Sequence, residues 1–186
     1  MHFNKTEHIV IAITGASGCI YAKRLIEKLE NTKNAPDISI IMSEVAKLVW
    51  KTEMGVLPEF RHKMYHENDF MAPFASGSSV AGKMVVIPCT MGSLGKMAHG
   101  IADNLVTRAA DVILKEKKQL ILVPRETPFN LIHIENMKLL SLAGATIIPA
   151  CPSFFSKPEN INELVDTIVD RVLDHLGHAP ENAGRW

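Results

Sequence analysis

The sequence predicts a single doubly wound α/β domain over residues 1–186, built on a mainly parallel sheet. Short apolar runs alternate with stretches of helical period, the pattern of repeated strand–helix–strand units. The runs are apolar throughout instead of at every second residue, as strands covered on both faces are. No repeat, low-complexity tract or linker divides the chain, and its 186 residues are about one domain's length.

The first strand covers residues 8–13 and is apolar after His8. It ends in Thr14-Gly-Ala-Ser-Gly18, a tight turn into a helix with Ile20, Leu25, Ile26 and Leu29 on its apolar side. Residues 37–42 form the second strand, and 43 to about 51 read as helix. From 55 to about 82 the chain is polar, with a weaker strand at 63–66. Residues 84–88 are the next strand, 103–118 a helix and 119–123 a strand. Residues 128–143 read as a helix stopped by Gly144, and 145–148 as the last strand. In the final helix Ile161, Leu164, Val165, Ile168, Val169, Val172, Leu173 and Leu176 recur at three- and four-residue steps. Asn160 and Glu163 stand before it at capping-box spacing, and Gly177 ends it. The whole is a Rossmann-like, flavodoxin-like arrangement.

Composition narrows the function. Twenty basic residues balance twenty acidic ones, so the strongly basic surface of a nucleic-acid binder is missing. Little net charge keeps copies apart, which favours a homo-oligomer. The three cysteines, Cys19, Cys89 and Cys151, form no CxxC pair, which points to a reducing compartment. The N-terminus has no apolar signal core, and no run of about 18 apolar residues occurs, so a cytoplasmic protein with no membrane segment is expected.

Ligands of such sheets bind beyond the carboxyl ends of the strands. Small, hydroxylated and charged residues follow those ends: Gly15, Ala16, Ser17 and Gly18; Ser43 and Glu44; Thr90, Met91, Gly92 and Ser93; Arg125 and Glu126. The first of these loops opens a helix, whose free N–H donors suit a phosphate, although it could equally be a plain tight turn. It has neither the G-x-G-x-x-G dinucleotide spacing nor a P-loop lysine. Arg125-Glu126 sits stiffly between Pro124 and Pro128, as a binding pair or as a structural ion pair. Arg108 and Lys115 share a helix face, about two turns apart, where a solvated face is the simpler reading. Glu53 reads as a surface residue, His133 as a boundary residue and Cys89 as a small buried hydrophobe. With no HExxH and no clustered carboxylates, no catalytic metal is expected.

Taken together, Ile13-Thr-Gly-Ala-Ser-Gly18, Asn68-Asp-Phe-Met-Ala-Pro73, Ser76-Gly-Ser-Ser79, Leu105-Val-Thr-Arg-Ala-Ala-Asp-Val112, Leu114-Lys-Glu116 and Val123-Pro-Arg-Glu-Thr-Pro-Phe129 resemble the UbiX flavin prenyltransferases. The resemblance runs from about residue 8 to the closing Arg185-Trp186. It implies an enzyme that takes reduced FMN and dimethylallyl phosphate and joins the prenyl group to flavin N5 and then C6, without a metal. The implied product, prenylated FMN, serves a UbiD-type decarboxylase, and the implied assembly is a dodecamer with sites between subunits. A donor carrying one phosphate or two fits these residues alike.

The resemblance assigns FMN to Gly15, Ala16, Ser17, Ser43, Thr90, Met91, Gly92, Ser93 and Arg125. It assigns the substrate phosphate to Arg108, Lys115 and Arg171, with Arg171 supplied by a neighbouring subunit. Glu126 would pass a proton to the leaving phosphate and take one from C6, helped by Ser17, with Glu53 nearby. Such an acid must be buried to stay protonated near neutral pH, since a free glutamate titrates near ~4.3. Fixed cations and a general acid suit a departing phosphate, and aromatic walls suit an allylic cation. Phe70 stands where the family often has Trp, and Phe155 where it often has Tyr, so one π face is weaker and one hydroxyl donor is lost.

Three rival classes fit parts of the chain. Residues 95–105 would suit a phosphopantothenoylcysteine-type FMN-dependent decarboxylase, but the Pro-x-Ser-Ala-Asn-x-Thr segment of that family is missing. A direct aromatic-acid decarboxylase is the second rival and a non-catalytic flavin carrier the third. Turnover of dimethylallyl phosphate with reduced FMN separates them from a prenyltransferase.

Overall fold

The computed structural model describes residues 7–78 and 81–179. Its core is a six-stranded sheet, wholly parallel, in the order β3-β2-β1-β4-β5-β6. The strands are β1 (His8–Ile13), β2 (Asp37–Met42), β3 (Lys63–His66), β4 (Lys83–Cys89), β5 (Gln119–Pro124) and β6 (Thr146–Ile147). Parallel neighbours need crossovers, and helices supply them. They are α1 (Cys19–Glu30), α2 (Glu44–Met54), α3 (Met91–Ala98), α4 (Leu105–Lys115) and α5 (Leu131–Leu142), and α6 (Ile161–Leu176) follows the last strand.

The two-residue period of a strand divides each apolar run between the two faces. Ile9, Ile11, Ile13, Ile40, Met42, Val85, Ile87, Ile121 and Val123 pack under α1, α2 and α6. Val10, Ala12, Ile41, Met84, Val86, Leu120 and Leu122 pack under α3, α4 and α5. Ladders of Arg24 to Asp166 and Lys28 to Asp170 tie α1 to α6 along their half-buried flank. On the other face a short 3-10 turn, Pro73–Ala75, drives Phe74 into the core against Tyr65. Among the described residues no helix is long and apolar enough to cross a membrane.

Several boundaries differ from the sequence reading. The stretch from Thr90, expected as a loop, opens α3, with Met91, Leu94 and Met97 on its buried side. It is a short helix that includes Gly92 and Gly95, poor helix formers, so its period is faint. The helix expected from residue 103 starts at Leu105 because the Asn104 side chain caps it in a reciprocal box with Thr107. The one expected from 128 starts at Leu131, where Asn130 and His133 form the same box. The Arg185-Trp186 ending and Ser79 lie outside the described residues.

The chain first winds outward from β1 to β2 and β3, then crosses back to lay β4 on the other side of β1. The crevice beyond β1 and β4 is therefore the switch point at which sheets of this kind take their ligands.

Candidate functional site

The seam between β1 and β4 is closed at its carboxyl end by Thr14. Its hydroxyl donates to the Pro88 carbonyl at 2.8 Å and accepts the Thr90 N–H at 2.8 Å. The neighbouring strand ends are tied in the same way: Ser43 N–H to the Ile13 carbonyl at 3.1 Å, and Arg125 N–H to the Cys89 carbonyl at 3.2 Å. These ties bring Gly15, Ala16, Ser17, Ser43, Thr90, Met91, Gly92, Ser93, Arg125 and Glu126 to one edge. Ala150 N–H reaches the Pro124 carbonyl at 3.0 Å, so the loop that carries Phe155 starts from this edge too. Phe70, half-exposed, lies just past the end of β3.

The turn after β1 is held by α2 from two sides. A Cβ on Gly15 would lie 2.4 Å from Val45 Cγ1, so only glycine lets the turn lie this close to α2. Gly18 has φ 107°, the left-handed region that glycine tolerates. From the far end of α2, Glu53 accepts the Gly18 N–H at 3.0 and 3.1 Å and the Cys19 N–H at 2.9 Å. Burial alone would raise the Glu53 carboxyl, but the Ser17 hydroxyl and the Cys19 and Gly18 N–H groups outweigh it and hold it below the usual value. Glu53 is thus more than the surface residue expected from its position. Its negative charge fills the N-terminus of α1, where the sequence suggested that a phosphate could bind.

The N-terminus of α3 is different. The Thr90 hydroxyl accepts the Ser93 N–H at 3.1 Å and donates to Ser93 Oγ at 2.9 Å. That leaves Met91 and Gly92, whose N–H groups no preceding turn of helix can take. A Cβ on Gly92 would meet nothing nearer than Thr90 Oγ1 at 4.0 Å, so the approach is open. Backbone donors, two hydroxyl residues and the nearby Arg125 make a set that fits the phosphate end of FMN.

Other site residues are not brought together within one chain. Lys115 ends α4, shortly before Gln119 begins β5, so it lies at the amino edge of the sheet. The length of β5, roughly 17–20 Å, separates it from Arg125. Lys115 pairs there with Glu116 at 2.9 Å and crowds Gly77. Arg108, midway along α4, donates to the Ala75 carbonyl at 3.0 Å. Arg171 lies on the opposite face of the sheet, 3.5 Å from Asp174. Glu126 is exposed, with the Thr127 N–H on its carboxylate at 3.1 Å, so its own chain does not supply the burial expected for a protonated acid. Among the described residues no ion pair joins it to Arg125. Cys89 is fully buried, and burial pushes its thiol up to about 12, as suits a core residue and not a nucleophile.

An α/β sheet with an open helix N-terminus among hydroxyl residues at its switch point suits a nucleotide-type ligand, and the comparisons give the family. The flavoprotein family model matches residues 2–173. The chain is 43% identical to the flavin prenyltransferase UbiX of Methanocaldococcus jannaschii, with 96% of this chain and 97% of that one covered. It superposes with TM-score 0.92 on AnUbiX (PadA1) in complex with FMN and dimethylallyl pyrophosphate, at 35% identity and 98% coverage of both chains. A dodecameric FMN-dependent UbiX-like decarboxylase from Escherichia coli O157:H7 gives TM-score 0.89 at 36% identity, covering 96% of this chain and 98% of that one. This chain is a flavoprotein. Within that class it belongs to the UbiX flavin prenyltransferase family.

One contributor escapes a reading of the sequence, and so do the partners of another that the resemblance places near the site. Thr14 looks like no more than part of a turn, although a threonine between a buried strand and a glycine is placed to bond across a seam. Glu53 shows no partner because its contacts lie 34 and 35 residues away.

Proposed function

We propose that this enzyme transfers the dimethylallyl group of dimethylallyl phosphate to N5 and then C6 of reduced FMN, giving prenylated FMN for a UbiD-type decarboxylase. The observation that carries the reading is the pairing of a blocked α1 N-terminus with an open α3 N-terminus at the switch point, in a chain of this family. Thr90, Met91, Gly92 and Ser93 hold the flavin phosphate, while Gly15, Ala16, Ser17, Ser43 and Arg125 line the rest of the flavin site. Reduced FMN supplies the nucleophilic N5 and C6.

The donor's carbon–oxygen bond breaks with both electrons leaving on phosphate. Cations at fixed positions stabilise that departing charge. Arg108, Lys115 and Arg171 are the candidates; Lys115 at the amino edge and Arg171 on α6 reach Glu126 only from a neighbouring subunit on this reading. Glu126 gives a proton to the leaving phosphate and takes one from C6. Burial by a neighbour supplies the dry surroundings that this carboxyl lacks in its own chain. Phe70 and Phe155 form walls that keep water from the allylic cation.

The assembly has apolar surface to use. Leu131, Ile132 and Leu142 of α5 are 71%, 69% and 78% exposed, which suits a copy-to-copy contact in a dodecamer. The test is turnover. Anaerobic incubation with reduced FMN and dimethylallyl phosphate should yield prenylated FMN and free phosphate, and decarboxylation without the prenyl donor would favour the decarboxylase reading instead.

A further inference from the structure

We propose that Thr14 is a positioning residue for the flavin phosphate, setting the α3 N-terminus through Thr90; the inference rests on the assignment of that phosphate to residues 90–93. Thr14 is only 2% exposed, yet it carries a hydroxyl. The β1–β4 ladder ends with Ala12 opposite Val86, and beyond it Thr14 takes over the pairing. Its N–H and its hydroxyl both donate to the Pro88 carbonyl, at 3.2 and 2.8 Å. The same hydroxyl accepts the Thr90 N–H at 2.8 Å. Thr90 in turn fixes Ser93 through its own hydroxyl. A continuous line of bonds therefore runs from β1 to the first turn of α3.

Replacing the hydroxyl with a methyl has an uneven effect. The Pro88 carbonyl keeps the Thr14 N–H, but the half-buried Thr90 N–H loses its partner. The capping residue of α3 is then free to move, and the Met91 and Gly92 donors move with it. The Thr14 N–H and carbonyl keep their backbone bonds to Pro88 and Ala16, so the turn at Gly15, Ala16 and Ser17 stays in place. Thr14 thus controls recognition of the phosphate, and ring binding is left as it was.

Full-length wild type, Thr14→Val and Thr14→Ser are titrated with FMN and with riboflavin, which lacks the phosphate, by quenching of flavin fluorescence. In Thr14→Val the FMN affinity should fall about fivefold to tenfold, the low range for an orphaned donor because this one is half-buried, while riboflavin affinity stays within about twofold. Thr14→Ser keeps the hydroxyl and should restore most of the FMN affinity. Equal losses for both ligands, or no loss, would overturn the role of Thr14. A wild type that binds riboflavin as well as FMN would overturn the phosphate assignment itself, and the proposal with it. Should the valine variant fail to fold, Thr14→Cys, close in volume but only a weak donor and acceptor, carries the same comparison with the same deciding outcomes.

Discussion

Glu53 grips the first turn of α1 through Gly18, whose N–H lies 3.0 Å from one carboxylate oxygen and 3.1 Å from the other. The two residues are 35 apart in sequence, so the contact also pins the end of α2 to the turn that carries Ser17. A helix N-terminus without a side-chain cap of its own is thereby capped from a distance.

Glu53→Gln should lower stability at neutral pH by about 0.5–1 kcal/mol, the low range for a lost cap because the group is partly solvated. The folded carboxyl titrates below its ordinary value of 4.5, so the charge contributes fully above that value and is lost as pH falls through the folded one. Thermal melts should therefore show a gap between the two proteins at neutral pH that closes as pH falls below 4.5 and through the lower folded value. A gap that is constant with pH would mean that shape and not charge makes the cap.

Gly15→Ala should destabilise the protein by about 1–3 kcal/mol, the usual cost of overpacking. The new methyl would lie 2.4 Å from Val45 Cγ1 and 2.8 Å from Val45 Cβ, and a β-branched side chain has little room to turn away. Adding Val45→Ala removes the 2.4 Å contact but keeps the 2.8 Å one to Cβ, so it should recover only part of the loss, and denaturant melts of the single and double variants measure that coupling.

Glu126→Gln should keep FMN bound and lose about 10²–10⁴-fold in turnover, because an amide fills the space but moves no proton. Lys115→Ala should also be inactive. If a site draws Glu126 from one subunit and Lys115 from another, mixed oligomers of the two inactive chains should regain up to roughly a quarter of the activity. Arg171→Ala mixed with Glu126→Gln should behave alike. Inactive oligomers of verified mixed composition would place these groups in a single chain.

Phe155→Tyr should lower KM for the prenyl phosphate by about tenfold, since a hydrogen bond to a charged oxygen is worth roughly 1.5–3 kcal/mol and water replaces part of it. The effect falls on KM more than on kcat if the bond is equally strong before and during cleavage. Phe155 is 69% exposed in the loop between β6 and α6, away from the core clusters. Steady-state kinetics at saturating reduced FMN check it, and an unchanged KM would mean that Phe155 does not face the phosphate.

The strand ends were legible in the sequence because runs such as residues 8–13 are apolar throughout and stop abruptly. Once they were placed, topology dictated that Ser17, Ser43, Thr90 and Arg125 share an edge. The start of α3 was not legible, since Gly92 and Gly95 weaken a short pattern whose real signal is the cap at Thr90. Arg108 and Lys115 could be put on one face of a helix by their spacing. That α4 runs down to the amino edge before β5, carrying Lys115 away from Glu126, depends on where the helix ends as well as on its period.

The carboxylate seated on α1 also bears on which nucleotides this fold can accept. In doubly wound sheets that take dinucleotides, the diphosphate bridge rests on the helix that follows the first strand. Here a bridge in that place would meet a fixed negative charge already bonded to the N–H groups it needs. On the proposed placement of the flavin phosphate at α3, that charge disfavours NAD or FAD at α1, while a mononucleotide keeps its single terminal phosphate clear of Glu53.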